Sequence, residues 1–301
     1  MNAAIKYTKR TYQLYLMLLV PVLYFIIFKY LPMYGVVIAF KDYNMFAEGM
    51  YAGDWNNFAH FIEAFSSIEF RHALVNTMVL NLGDLALGFP IPIIMAIALN
   101  ELTSNKIRKT TQVITYLPHF LSWVIVDGIS FQLFSNTGLI NNMLAALGME
   151  RANFLSDPFS WRIVYWFTGI WHSAGYALII YLAALMGIDP SLNEAAHIDG
   201  ATRFQRILHV TFPMISPTIT VMLLLRIGSI ISISFDRPYL MGNALVSDAS
   251  SVISTFTYTV GITSARFDYA TAIGLFQSVV GIVLIILADR TAKKLGEGGI
   301  L

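Results

Sequence analysis

Six apolar runs, each long enough to cross a bilayer, limit what this chain can become. They lie near 12–31, 73–99, 110–133, 161–183, 213–234 and 270–289. About 20 apolar residues in a helix span the hydrocarbon layer. Lipid offers no hydrogen-bond partners, so a spanning segment must satisfy its own backbone, and a helix does that. Hydrophobic residues make up 56% of the 301 and charged residues 12%. A soluble domain carries about a quarter charged residues, so a water-soluble globule is excluded. The expected fold is an all-α integral membrane protein with six transmembrane helices. The first run follows Lys6, Lys9 and Arg10 as a signal peptide would. It is too long for one and no small-x-small cleavage site follows, so it reads as an uncleaved span.

Lysine and arginine set the orientation. With the N-terminus inside, the short inner segments hold Lys6, Lys9, Arg10, Lys106, Arg108, Lys109, Arg203, Arg206, Arg290, Lys293 and Lys294. The longer outer segments carry more acid, including Asp42, Asp54, Glu63, Glu69, Asp157 and Asp268. Both termini are therefore expected to be cytoplasmic: a tail over 1–11, a transmembrane domain over 12–290 and a second tail over 291–301. Three outer segments are expected: 32–72, with Tyr43, Phe46, Tyr51, Trp55 and Phe58; 134–160, with a short helix at 138–147; and 235–269. The last meets a delivery protein or closes over the pathway, or else only caps the bundle. Pro90, Pro92, Pro213 and Pro217 should kink or delimit helices.

Several chemistries are missing from the sequence. There is no cysteine, and so no disulfide or thiolate site. No G-x-x-x-x-G-K-[ST], H-E-x-x-H or G-x-S-x-G pattern occurs. The six histidines are scattered without metal-ligand spacing, and no basic stripe suits nucleic acid. The chain is not expected to be an enzyme, to bind ATP or to hold a metal.

One polar stretch between the fourth and fifth runs has its own local structure. Ser191 with Glu194 and Thr202 with Gln205 are capping-box patterns. Gly200 stands between them, where a helix ends in a left-handed residue. The expectation is helix, glycine break, helix. On the second helix Phe204, Ile207 and Leu208 share one face, with Arg203, Arg206 and His209 elsewhere, so an apolar stripe lies on a polar loop and needs a partner.

Glu194-Ala195-Ala196, three residues, Gly200, and then Val210, Phe212 and Pro213 resemble the EAA signature of the membrane subunits of bacterial ABC importers. Val210 and Phe212 replace the usual Ile and Leu, apolar for apolar. The resemblance implies that the 188–213 loop docks on an ATPase subunit, with Glu194, Ala195, Ala196, Asp199, Gly200, Arg203, Phe204 and Ile207 as coupling residues. The positive-inside count independently puts this loop on the cytoplasmic side.

A wider resemblance covers most of the chain. Asn100-Glu101-Leu102, Gln112, Tyr116 to Trp123, Ile188-Asp189-Pro190, Ile198 to Ala201, Phe235-Asp236 and Ala272 to Phe276 look like the LplB-type and maltose-type carbohydrate permeases. It implies an oligosaccharide importer in a bacterial cytoplasmic membrane. The implied partners are a second permease subunit forming a heterodimer, two ATPase subunits that bind ATP and magnesium, and an extracytoplasmic solute-binding protein. Arg237-Pro238 and Met241 to Ala244 depart from the pattern, which bears on the outer-loop contacts. An ion-driven secondary transporter would show paired repeats and charged relays, and a sensor would need a soluble output domain; neither explains the 188–213 loop.

Charges inside spans face a partner or a cavity. Arg226 in the fifth run and Asp84 in the second either pair with each other or put Arg226 on the substrate pathway, where its planar fork suits the carboxylate of an acidic sugar. Trp171, His172, Ser173 and Tyr176 in the fourth run join aromatic faces to polar groups, as sugar binding does. By resemblance to maltose-type permeases, Tyr176 stands at a pocket tyrosine, and His172, Ser173, Arg226 and Ser229 at pocket positions of differing identity. The alternative is that these side chains make helix–helix hydrogen bonds. Asp127 reads as structural, and Asn76 and Asn81 as interhelical contacts.

Overall fold

The computed structural model describes residues 11–44 and 53–294. Most of the first tail, Phe46 and Tyr51 of the first outer segment, and residues 295–301 of the second tail lie outside the described residues. The described chain is helical, with no strand beyond an isolated antiparallel bridge between Lys41 and Trp55. Among the described residues five helices are long and apolar enough to cross a membrane, or six if one bent pair counts as a single span.

The chain divides into two compact units. The first comprises Met1–Ser66 and Thr257–Phe276, and the second Ser67–Phe256 and Gln277–Leu301.

In the first unit, α1 (Tyr12–Phe40) buries none of its most apolar window. A helix apolar on all sides is built for lipid or for packing against another helix. Beyond it the chain turns back through Asp42 N–H to Asp54 O (2.9 Å) and Asn56 N–H to Phe40 O (3.0 Å). It then enters α2 (Ala59–Ser66). Phe40 packs on Phe58 and Phe61, at ring distances of 5.6 and 5.5 Å. Buried His60 sets Nε2 3.1 Å from the Lys41 carbonyl and 3.3 Å from Asp268. Glu63 pairs with Arg266 through both carboxylate oxygens. The guanidinium holds the Glu63 carboxyl below its ordinary value.

The second unit is built around α7. Its elements, in chain order, begin with α3 (Ile68–Asn100), α4 (Asn105–Phe120), α5 (Trp123–Phe134), α6 (Leu139–Ala146) and α7 (Pro158–Met186). There follow α8 (Pro190–Ile198), α9 (Arg203–Gly228), α10 (Asp236–Met241), α11 (Ser247–Ser250), α12 (Ile253–Tyr258) and α13 (Phe267–Lys294). The last two begin or end in the first unit. Helix α7 supplies Trp161, Val164 and Tyr165 to one core cluster, with Leu80, Met241 and Val246, and Leu178, Tyr181, Leu182 and Leu185 to another, with Ile93, Ala96 and Ile215. Trp161 Nε1 donates to Met241 O (2.8 Å), so the buried indole also satisfies the carbonyl at the end of α10. Gly175 lets α4 approach closely: a Cβ there would fall on the Thr115 carbonyl.

Two runs end or break differently from expectation. The third run, read as one span over 110–133, is two helices bent by 102°. Pro118 brings no N–H, the chain tightens into a 3-10 turn over Leu117–Phe120, and Leu121 is extended. The freed Leu121 carbonyl lies 3.0 Å from His172 Nε2. The fifth run, read as 213–234, starts ten residues earlier at Arg203 and stops at Gly228. Beyond it the backbone is irregular, and side-chain amides meet its carbonyls: Asn81 Nδ2 donates to Ile230 O (2.5 Å) and Gln277 Nε2 to Ile231 O (3.0 Å). Such satisfaction is what irregular backbone between spans requires. In the second run Pro90 delimits a helical stretch, as expected. A π-turn over Asp84–Gly88 precedes it, and Pro90 opens the next α-helical stretch.

The short helix expected at 138–147 is α6, Leu139–Ala146. Asn141, fully buried, ties its segment together by donating to Ser135 O and Ala152 O and accepting from Ala152 N. Asn76 donates to Asp248 O (2.7 Å) and Ser251 O (3.0 Å), and Asn81 holds the break after α9, so both are contacts between elements as expected.

Candidate functional site

The 188–213 segment folds as helix, left-handed glycine, helix. Pro190, with its fixed φ, opens α8. The cap is Asp189, which accepts from Ser191 N–H (2.9 Å). This corrects the expectation of a Ser191–Glu194 box: Glu194 is exposed and its side chain makes no hydrogen bond or ion pair among the described residues. The Ser191 N–H and hydroxyl hold the Asp189 carboxyl below its ordinary value. At the far end Gly200 has φ +80°. Gly200 N–H donates to His197 O (3.1 Å) and Ala201 N–H to Ala196 O (2.9 Å), the paired bonds of a Schellman stop. Thr202 then starts α9 with a reciprocal box: its N–H donates to Gln205 Oε1 (2.8 Å) and its Oγ accepts from Gln205 N–H (3.4 Å).

This double cap leaves an apolar edge uncovered. Ile198 is 85% exposed, Phe204 73% and Leu208 50%; Ile207 is half-buried and Arg203, Ala195 and Asp199 are exposed. A groove of about 360 Å³ runs between the two helices, lined by Ala196, Asp199, Gly200, Gln205, Arg206 and His209. A π-turn over Ile207–Thr211 joins the start of α9 to the rest of it, so the capped turn and the span are one helix.

At the other end of α9 lies a polar cavity of about 280 Å³, lined by Asn81, Asp84, Trp123, Ser173, Arg226, Ser232, Ser234 and Arg237 among others. Arg226 sits in the last turn of α9, where the helix carbonyl ends favour a cation. It does not pair with Asp84. Asp84, at the start of the π-turn of α3, is held by Arg237 at 2.7 and 3.4 Å. Arg237 also donates to the Tyr165 carbonyl and lies over the rings of Tyr165 (3.5 Å) and Trp123 (5.3 Å). Gly169 of α7 faces this guanidinium, and a Cβ there would occupy its place.

The expected pathway residues do not converge on one cavity. Ser173 and Arg226 line it. Ser229 lies beside it in a small pocket with Asn81 and Arg226, its hydroxyl turned to the Arg226 carbonyl (3.1 Å). His172 is buried at the α4–α5 break, packed on Trp123 at 4.3 Å. Tyr176 is 54% exposed and stacks on His119, with centroids 4.3 Å apart and planes at 12°. Trp171 points to the other side of α7, into an apolar pocket with Ile114, Pro118 and Phe167. Trp123, His119 and Arg237 are the site residues that sequence reasoning missed. The one signal for Arg237 was that Asp84, in mid-span, needs a cation.

Residues 88–296 match the family described as "Binding-protein-dependent transport system inner membrane component". The chain is 43% identical over 288 residues to the polygalacturonan/rhamnogalacturonan transport system permease protein YteP of Bacillus subtilis (strain 168), covering 95% of this chain and 89% of that one. It is also 43% identical to Protein LplB of the same organism, over 97% of this chain and 92% of that one. Among solved structures it superposes on a chain of a bacterial alginate ABC transporter in complex with an alginate pentasaccharide-bound periplasmic protein. The TM-score is 0.89 at 41% identity, covering 98% of this chain and 99% of that one. With the family description, these relatives and the all-helical fold in agreement, the chain belongs to the binding-protein-dependent transport system inner membrane components.

Proposed function

We propose that this chain is one permease subunit of an ATP-driven, binding-protein-dependent importer of oligosaccharides in a bacterial cytoplasmic membrane. It forms half of the translocation pathway beside a second permease subunit. Two ATPase subunits bind ATP and magnesium, and an extracytoplasmic binding protein delivers the sugar. Both termini and the 188–213 segment lie on the cytoplasmic side in this reading.

The observation that carries it is the continuity of α9. Its first turn belongs to the capped, apolar-edged segment, and its last turn places Arg226 at the polar cavity. Closure of the ATPase dimer on ATP, felt at Phe204 and Ile207, moves the same rigid rod that lines the cavity. Packed elements of this kind switch between discrete arrangements rather than deform. Relatives named for polygalacturonan and rhamnogalacturonan, alginate, and trehalose and maltose support an oligosaccharide cargo and leave its charge open.

The test is to isolate the chain from native membranes in mild detergent, wild type beside Glu194→Ala/Gly200→Pro. An ATPase and a second permease should accompany the wild type, and the ATPase should be lost from the variant. A wild-type chain that comes out alone or as a homo-oligomer refutes the reading.

A further inference from the structure

We propose that Arg226 is the cavity's receptor for a sugar carboxylate, and that Arg237 keeps it available by holding Asp84. The proposal rests on the permease reading above and adds the charge of the cargo.

Three charged side chains line the cavity: Asp84, Arg226 and Arg237. Two cations and one anion leave one positive charge over. The contacts of Asp84 assign it to Arg237. Two nitrogens reach the two carboxylate oxygens. One of those nitrogens also donates to the Tyr165 carbonyl. The guanidinium plane is covered by Tyr165 and Trp123, and Gly169 makes the room. Only 9% of the Arg237 side chain is exposed, against 20% for Asp84. The pair is built in, and it takes the one anion of the cavity out of reach of the other arginine.

Arg226 is its opposite. It is exposed, and among the described residues its guanidinium has no hydrogen bond or ion pair. Arginine cannot be deprotonated in proteins, and its five donors in a fixed fork match a carboxylate. Around it stand the groups that sugar hydroxyls need. Ser173 donates to Gly169 O (2.7 Å) and keeps its lone pairs, and Ser232 and Ser234 lie on the same wall. A neutral sugar entering this space would strip water from Arg226 and give no charge in return; a uronate residue gives a carboxylate. Without Arg237, Asp84 would be the carboxylate that competes for Arg226. Arg237 is therefore a positioning residue, and Arg226 is the one that touches substrate.

The test uses the assembled importer in proteoliposomes, with its ATPase, second permease and binding protein. Uptake of short oligogalacturonates and oligoalginates is compared with uptake of their methyl esters. The quantity read is the ratio of acid to ester uptake, in which the preference of the shared binding protein cancels between variants. Arg226→Gln should lower the ratio about tenfold or more, the scale of a hydrogen bond to a charged group. Arg237→Gln should lower it too, although it leaves Arg226 in place. Asp84→Asn/Arg237→Gln should restore it, because the competing carboxylate is gone. A ratio unchanged in Arg226→Gln overturns the receptor role. A double variant no better than Arg237→Gln overturns the positioning role and makes the pair a structural strut. A wild-type importer that takes up neither acid nor ester overturns the proposal, as does uptake of both at a ratio indifferent to Arg226; the permease reading, which leaves the charge of the cargo open, falls only if no ATPase and second permease assemble with the chain.

Discussion

Gly169→Ala should damage this protein well beyond what one methyl group suggests. Inside a helix, glycine to alanine normally helps by about 1 kcal/mol. On α7 the new Cβ would land on the Arg237 guanidinium. A flexible side chain end usually yields at little cost, but this one has nowhere to go. It is tied to Asp84 at 2.7 Å and to the Tyr165 carbonyl, and its plane is stacked 3.5 Å from the Tyr165 ring. Forcing a methyl group into packed space costs about 1–3 kcal/mol, and breaking a buried ion pair by losing one partner costs about 3–5 kcal/mol. A partial displacement of Arg237 lies between the two, and the expected loss is about 3 kcal/mol.

The assay is equilibrium unfolding of the purified chain in mixed detergent, followed by tryptophan fluorescence. Gly128→Ala is the control: it sits inside α5 with nothing within 4 Å of its built Cβ, so it should be neutral or slightly stabilising. The decisive comparison is a cycle. In a background of Asp84→Asn/Arg237→Ala the obstacle is gone, and Gly169→Ala should cost less than about 1 kcal/mol, giving a coupling of about 2 kcal/mol or more. Equal losses in both backgrounds would refute the argument, since the penalty would then come from something other than Arg237.

Gly200→Ala should destabilise the 188–213 segment by about 1–2 kcal/mol through its backbone alone, because φ is +80° and nothing lies within 4 Å. Gly200→Asn should cost less, as seen in amide exchange over α8 and the first turn of α9. Asp189→Ala should loosen α8 by about 1 kcal/mol and Ser191→Ala by less, because Asp189 is the cap and Ser191 only supports it; faster proteolysis of Ser191→Ala than of Asp189→Ala would reverse that assignment. Glu63 carries a pKa lowered by Arg266, so its contribution is complete above the unfolded value of 4.5 and fades as pH falls through the lower folded value. The difference in melting temperature between wild type and Glu63→Gln should therefore be constant at neutral pH and close below about pH 4.5; a gap that persists at lower pH would show that the carboxylate charge is not its source.

What could be read from the sequence was what local rules decide. Gly200 between two capping patterns specified a left-handed stop, because the choice depends on the glycine's own φ and on bonds within five residues. The box at Thr202 and Gln205 is local in the same way, and it formed. At Ser191 two local rules competed. Asp189 and Ser191 both lie near the start of the helix, and with Pro190 at the first helical position, the residue before it takes the cap. The apolar runs showed that spans exist but not where they break. Hydropathy does not register that Pro118 and an extended Leu121 bend the third run by 102°, or that helix α9 gives way after Gly228.

The site was least legible because its logic is long-range. Asp84 is 153 residues from Arg237, and each was sorted by its own neighbourhood, one as a charge in a span and the other as a residue of a loop. The fold brings that loop back against α3 and α7, and so changes which arginine is spoken for. Depth alone suggested Arg226 as the partner of Asp84, yet the pair that formed leaves Arg226 over. The breaks and the charges belong together. The irregular turn after α9 carries the backbone toward Arg237, Asn81 satisfies that turn from α3, and Asp84 sits one turn further along the same helix face. A sequence that placed the cation of Asp84 within α9 would have needed no such turn, and its cavity would have held no unpaired charge.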